Sequence, residues 1–257
     1  MPKTITPSEK AIGMAEKWEN DPANFDGSLS WPGGGSGITL GYGYDLGYSS
    51  SAQVRDDWGS LVPGATLDAM LRCVGMIGTS ARGLLPLVRG FHVTQAAAGE
   101  VFREIDVPRY SRMARQAFPN ADELSGDSFG ALWATVMNRG AAMSDAPGWP
   151  NSRLEMRQIR DACEAREFKK VPDYFRSMCR LWVGHGLDGL LVRYRETAQL
   201  FQDGLAGKTP AVQPSPDAPD AFTEKEELGD AESSEVTAES LNQSELDRIA
   251  AGKPATS

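Results

Sequence analysis

The stretch Trp31–Gly47, WPGGGSGITLGYGYDLG, limits what this chain can fold into more than any other. It packs seven glycines into 17 residues. Each glycine inside a helix costs about 0.5–1 kcal/mol relative to alanine, so a helix is disfavoured here. Within Ile38–Tyr44, glycine alternates with larger residues, the pattern of a small hairpin. A frame this rich in glycine turns sharply and lets backbone approach a ligand closely. It carries one threonine, Thr39, and one aspartate, Asp45.

Helix signals dominate on either side. Thr6-Pro7-Ser8-Glu9 reads as a helix start, with Thr6 as N-cap, Pro7 at the first helical position and Glu9 closing a capping box. Asp21-Pro22 stops that helix near Trp18 or Asn20. Further helices are predicted over 51–59, 66–74, 79–88, 94–105, 107–117, 127–138, 153–164, 167–181 and 188–203. Phe129, Leu132, Trp133, Val136 and Met137 mark the 127–138 segment as the central buried helix. Neither a βαβ alternation nor an internal repeat is visible.

Composition changes abruptly near Gly204. All six tryptophans precede it, whereas 207–257 holds one aromatic, Phe222, with 11 acidic and 4 basic residues. The rest of the chain is close to neutral. Residues 1–206 are therefore expected to form one domain and 207–257 a disordered acidic tail, with a marginal helix near Ser240–Ala251. Cys73, Cys163 and Cys179 form no Cys-x-x-Cys pair, and His92 and His185 are the only histidines, so buried free thiols are expected and a metal site is not. Thr39-Leu40-Gly41-Tyr42-Gly43 looks like a potassium-filter loop, but no segment approaches the ~18 apolar residues of a membrane span that such a filter requires. The first residues also lack an apolar stretch of signal-peptide length.

A hydroxyl and a carboxylate on this frame, with a glutamate upstream near the end of the first helix, suit hydrolysis of a glycosidic bond. Glu16 falls in the last turns of the first helix, where the partial negative charge of the helix end favours a carboxyl that keeps its proton. Ile12, Ala15 and Trp18 supply an apolar wall for it, and Glu19 competes for the same role. Thr39 between Gly37 and Gly41 has room to hold a water. Asp45 reads either as a turn residue or as the carboxylate that orients that water. Trp31, Tyr42 and Tyr44 are candidates for stacking on sugar faces, with core packing as the alternative. Arg180 either binds a peptide carboxylate or pairs with an acid of the domain.

Glu16 precedes Thr39 by 23 residues, and Thr39 precedes Asp45 by 6. With Trp-Pro-Gly-Gly before Thr39 and Gly-Tyr-Asp-Leu-Gly after it, this arrangement resembles the pesticin-type muramidases, bacteriocin and phage-endolysin domains of the lysozyme-like superfamily. Ala131–Gly140, ending in Asn-Arg-Gly, is similar to that family's central helix. Met156-Arg157, Arg180-Leu181-Trp182 and Gly189–Arg193 resemble its C-terminal helices. The likeness spans about 8–203. The shorter phage lysozymes place an aspartate six residues before the threonine; Gly33 stands there in this chain, so the second carboxylate falls to Asp45, with Asp26 in reserve.

The resemblance implies an α+β, mostly α-helical, lysozyme-like fold with a small β-hairpin lobe and a helical lobe. It implies cleavage of the β-1,4 bond between N-acetylmuramic acid and N-acetylglucosamine, with Glu16 as general acid, Thr39 positioning water, Asp45 as second carboxylate and Asn138 hydrogen-bonding the sugar. A lytic transglycosylase and a non-catalytic wall-binding or virion protein are the alternatives. The expected partner is the peptidoglycan glycan strand, met by a monomer without cofactor, nucleic acid or stable membrane insertion. Synthesis in a host cytoplasm and action on the bacterial cell wall are expected to follow.

Overall fold

The computed structural model describes residues 4–207 except Pro147. The acidic tail beyond Gly207, and the short helix expected within it, lie outside the described residues. The described chain is mostly helical, with one two-stranded sheet.

The first helix, α1 (Glu9–Asn20), begins two residues later than its sequence signal suggests. Ser8, not Thr6, is the N-cap; its hydroxyl accepts from Ala11 N at 3.1 Å. A tertiary contact decides this. The Ser8 hydroxyl donates to the buried Asp127 carboxylate, and Ser8 N donates to Gly126 O at 3.0 Å. These contacts seat the start of α1 on the start of α8 (Gly126–Arg139). Nearly all of α8 is buried, as the apolar run from Phe129 to Met137 implies.

The two helices touch through small residues. A Cβ at Gly130 would lie 2.3 Å from Ala11 Cβ, so bulk there must push α1 away. Gly130→Val is expected to lower the unfolding free energy by about 1–3 kcal/mol through overpacking. Urea denaturation would show this as a lower midpoint at unchanged slope.

The hairpin follows. Strands β1 (Thr39–Leu40) and β2 (Tyr44–Asp45) pair antiparallel with Thr39 opposite Asp45 and Leu40 opposite Tyr44. Thr39 also exchanges backbone hydrogen bonds with Ser30, at 2.7 and 3.0 Å, on its other side. Gly41 and Gly43 have φ of 60° and 90°, in the left-handed region that glycine occupies without penalty. Their turn drives Tyr42 inward. Phe25, Tyr42, Phe102 and Trp133 form a ladder of rings 5.4–6.1 Å apart, which ties the hairpin turn to the middle of α8.

The chain then runs through α2 (Ser51–Trp58), α3 (Gly64–Leu71), α4 (Gly78–Gly83) and α5 (Leu85–Val88). Pro86 falls where the sequence predicts one helix and the structure shows two short ones. Next, α6 (Gln95–Glu100) and α7 (Val107–Ala117) join through a wider π-helical stretch, Val101–Asp106. Val107 N donates to Phe102 O, five residues back. Pro108 has no N–H to give, and widening the preceding turns relieves the clash its ring would cause in a regular helix. Finally α9 (Leu154–Glu164), α10 (Val171–Met178) and α11 (Asp188–Leu205) complete the domain, with α11 packed along α8. All three cysteines are buried and free. No described helix is long and apolar enough to cross a membrane.

Candidate active site

The end of α1, the hairpin, α7 and the end of α8 enclose a cleft of about 1180 Å3. One wall is the hairpin, with Thr39 and Asp45. Facing residues come from Asp106, Arg109, Tyr110 and Met113 on one side and Met137 and Asn138 on the other. Glu19 and Asn20, the last two residues of α1, complete the lining.

The structure places the residue expected to be the acid outside the cleft. Glu16 is buried but does not line the cleft. Its Oε1 accepts from Arg103 Nε at 2.9 Å, and Arg103 also binds Glu9 at 2.8 Å. Glu19, three residues on, is the α1 carboxylate that lines the cleft. Arg193 of α11 holds its Oε1 at 2.8 Å, and that guanidinium lies 5.0 Å from the Trp18 ring centre. Glu19 Oε2 faces the hairpin turn, 3.0 Å from where a Cβ at Gly43 would stand. The glycine at 43 thus makes room for the carboxylate as well as for the turn.

Asn20 fixes the distance between helix and hairpin. Its amide nitrogen donates to Asp26 O at 2.7 Å and Gly41 O at 3.0 Å, while its oxygen accepts from Asp26 N at 3.0 Å. All of the bonds come from one side chain adjacent to Glu19, so the helix end and the turn move together.

Asp45 is built into the hairpin base. Its carboxylate accepts from Gly37 N at 3.0 and 3.1 Å and from Gly47 N at 2.8 Å. The Thr39 hydroxyl donates to Gly37 O at 3.5 Å and helps to hold the Asp45 carboxyl down. A Cβ at Gly37 would sit 2.3 Å from both Asp45 Oδ1 and Gly47 N. Part of the glycine density therefore serves to clasp Asp45 rather than to admit a ligand. Burial pushes the Asp45 carboxyl up to about 6, against the pull of those donors. Asp26 also lines the cleft, but it is anchored through Ser28, whose backbone and side-chain bonds hold it below the usual carboxylate range.

A second polar cluster backs the α7 wall. Arg109 bridges Asp106 at 2.9 Å and Asp57 at 2.8 Å, and Asp57 also accepts from the Tyr44 hydroxyl at 2.7 Å. Burial, with Asp57 nearby, pushes Asp106 up to about 7, while Arg109 pulls it down. The sequence reading missed this cluster; the signal was the i, i+3, i+4 spacing of Asp106, Arg109 and Tyr110, which puts them on one helix face.

The remaining candidates divide. Asn138 lines the cleft, with its side-chain oxygen held by the Tyr194 hydroxyl at 2.8 Å. Tyr42 and Tyr44 touch the cleft, but both are buried core residues, Tyr42 in the ring ladder and Tyr44 edge-on to Trp58 at 5.5 Å. Neither offers an open face for stacking on a sugar. Trp31 lies outside the lining; its indole donates to Ser36 O at 3.0 Å and Arg82 lies 5.8 Å from its ring centre. Arg180 is also elsewhere, bound to the buried Glu155 at 2.6 and 2.9 Å. It pairs with an acid of the domain, the second of the two roles open to it.

Among the described residues, no group of three or more His, Cys, Asp or Glu side chains is arranged to hold a metal ion. Among the lining residues, Glu19, Asp26, Asp45 and Asp106 are acidic and Arg109 is basic. In comparisons with known proteins, no family model matches the chain and no curated protein matches it.

Proposed function

We propose that this chain is a peptidoglycan hydrolase of lysozyme-like fold, a muramidase similar to the pesticin and endolysin type, with Glu19 in the role first expected of Glu16. One observation carries the proposal. A carboxylate oxygen of Glu19 faces the hairpin that bears the paired Thr39 and Asp45, and all three line one cleft of saccharide dimensions.

Glu19 gives its proton to the glycosidic oxygen as the bond from the anomeric carbon to that oxygen breaks. A water held by Asp45 and Thr39 adds to the anomeric carbon, and Asp45 accepts the water's proton. One water is consumed, and a new reducing end and a free hydroxyl are formed. Acid on one side and base with water on the other is the arrangement of an inverting glycosidase. Arg193 fixes one oxygen of Glu19 and leaves the other for the leaving group. The mostly helical fold with its small hairpin sheet fits this reading, as does the sequence resemblance over 8–203.

Digestion of purified sacculi by the whole chain, followed by mass spectrometry of the soluble muropeptides, tests it. Reducing N-acetylmuramic acid ends are expected. Anhydro ends would make the protein a lytic transglycosylase, and pelleting with the wall without release would make it a wall-binding protein.

A further inference from the structure

The hairpin that carries Thr39 and Asp45 is too small to hold its own place. Each strand has two residues, and an isolated two-stranded hairpin is marginal in water. Its anchors must come from the rest of the fold. Asn20 fixes the turn, and Ser30 pairs with the outer edge of β1. Among the described residues, no strand pairs with the outer edge of β2. Yet β2 is the strand that bears Asp45.

What anchors β2 is Tyr44, seated on two consecutive residues of α2. The Trp58 ring lies edge-on to the Tyr44 ring at 5.5 Å, and the Asp57 carboxylate accepts from the Tyr44 hydroxyl at 2.7 Å. The same oxygen, Asp57 Oδ2, accepts from Arg109 Nη2 at 2.8 Å, and Arg109 Nη1 donates to Asp106 at 2.9 Å. Asp57 is buried and does not line the cleft. It thus joins β2, α2 and α7 at a point away from the cleft lining. Charges are a costly filling for a protein interior, and apolar residues of similar volume often stabilise as well or better. Directional bonds supply what apolar packing does not. Tyr44 and Asp45 are consecutive in the strand, so their side chains leave it on opposite faces. A hydroxyl held on one face fixes the rotation of β2 about its own axis, and with it the direction of Asp45 on the other.

We propose that Asp57 is a positioning residue for the hairpin: by taking the Tyr44 hydroxyl and the Arg109 guanidinium on one oxygen, it locks β2 to α7 and sets the aim of Asp45 into the cleft. This inference rests on the glycan-hydrolase reading, in which Asp45 is the base. Asp57 touches neither substrate nor water in the reaction; it acts through Tyr44.

The test uses the full chain and solubilised glycan strands, with kcat and KM read from the release of reducing ends. Tyr44→Phe removes one oxygen atom and keeps the ring against Trp58. It is expected to lower kcat about tenfold while KM stays within about twofold. Asp57→Ala should lose at least as much. Asp57→Asn keeps an acceptor for the hydroxyl and should return to within about threefold of the unmutated chain. Tyr44→Phe combined with Asp57→Ala should be no slower than Asp57→Ala alone, because both break one contact. A second readout needs no turnover. The amides of Gly37 and Gly47 donate to the Asp45 carboxylate. Their hydrogen exchange should quicken about tenfold in Tyr44→Phe, while amides in the middle of α8 keep their rates. An unchanged kcat in folded Tyr44→Phe, a loss that appears in KM instead, or exchange that quickens equally in α8 would overturn the proposal. If the unmutated chain does not cut glycan strands, the hydrolase reading falls, and the exchange comparison alone decides whether Asp57 holds Asp45 in place.

Discussion

Glu19→Gln is expected to reduce release of reducing ends from sacculi by about a thousandfold, within the 10²–10⁴ range that general acid catalysis contributes. Glutamine keeps the shape of the side chain, and its carbonyl still accepts from Arg193, which bonds the native carboxylate at 2.8 Å. What is lost is the proton for the leaving oxygen. The variant should therefore melt close to the wild type and still pellet with sacculi, because the cleft walls are untouched. A drop in affinity as large as the drop in turnover would instead assign Glu19 to binding. Steady-state kinetics separates the two, since loss of a transition-state interaction appears in kcat.

The second large effect belongs to Asp45, where chemistry and structure are coupled. Asp45→Ala leaves the Gly37 and Gly47 amides without their acceptor. Unsatisfied buried donors cost about 1–3 kcal/mol, and the base of the proposed reaction is lost as well. Turnover is expected to fall at least about a hundredfold. Asp45→Asn retains an acceptor oxygen, so it should recover most of the stability and none of the activity.

The pH dependence has a definite sign. Burial raises the folded Asp45 carboxyl to about 6 from an ordinary 3.8. Its ionised form, the base of the proposed reaction, is lost as pH falls through about 6, so kcat should drop about tenfold per unit below that point. Stability responds in the opposite direction. Between about 4 and 6 the folded state binds this proton more tightly than the unfolded state, so this residue's contribution to stability decreases as pH rises. Asp45→Asn should flatten that part of the stability profile. Chemical denaturation at a series of pH values checks it.

Much of this architecture is legible in the sequence because it is written in local signals. The alternation in Ile38–Tyr44 gives the hairpin, and Asp21-Pro22 gives the end of α1. The apolar run of α8 gives the buried helix. What the sequence does not reveal is which side of a helix turn faces the cleft. Glu16 and Glu19 are three residues apart on the same helix, and each directly follows an apolar residue, Ala15 and Trp18. The choice is made by Arg103, 87 residues from Glu16, and by Arg193, 174 residues from Glu19. Neither pairing leaves a trace in local pattern. The N-cap illustrates the same point, because Asp127 recruits Ser8 from across the fold. Arg180 and Trp31 carry residue types suited to binding sugars and peptides, yet Glu155 and the Ser36 carbonyl claim them. Asp106, Arg109 and Tyr110 lie on a helix whose face toward the cleft is set by the widened turns before Pro108.

In the proposed reaction Glu19 is the acid, and Glu16 belongs to an ion pair with Arg103 outside the cleft. Reducing-end release from one batch of sacculi by Glu16→Gln and Glu19→Gln, each compared with the unmutated chain, examines that assignment directly. Glu16→Gln should turn over within about threefold of the unmutated protein, and Glu19→Gln should be inactive. An active Glu19→Gln beside an inactive, well-folded Glu16→Gln would contradict it.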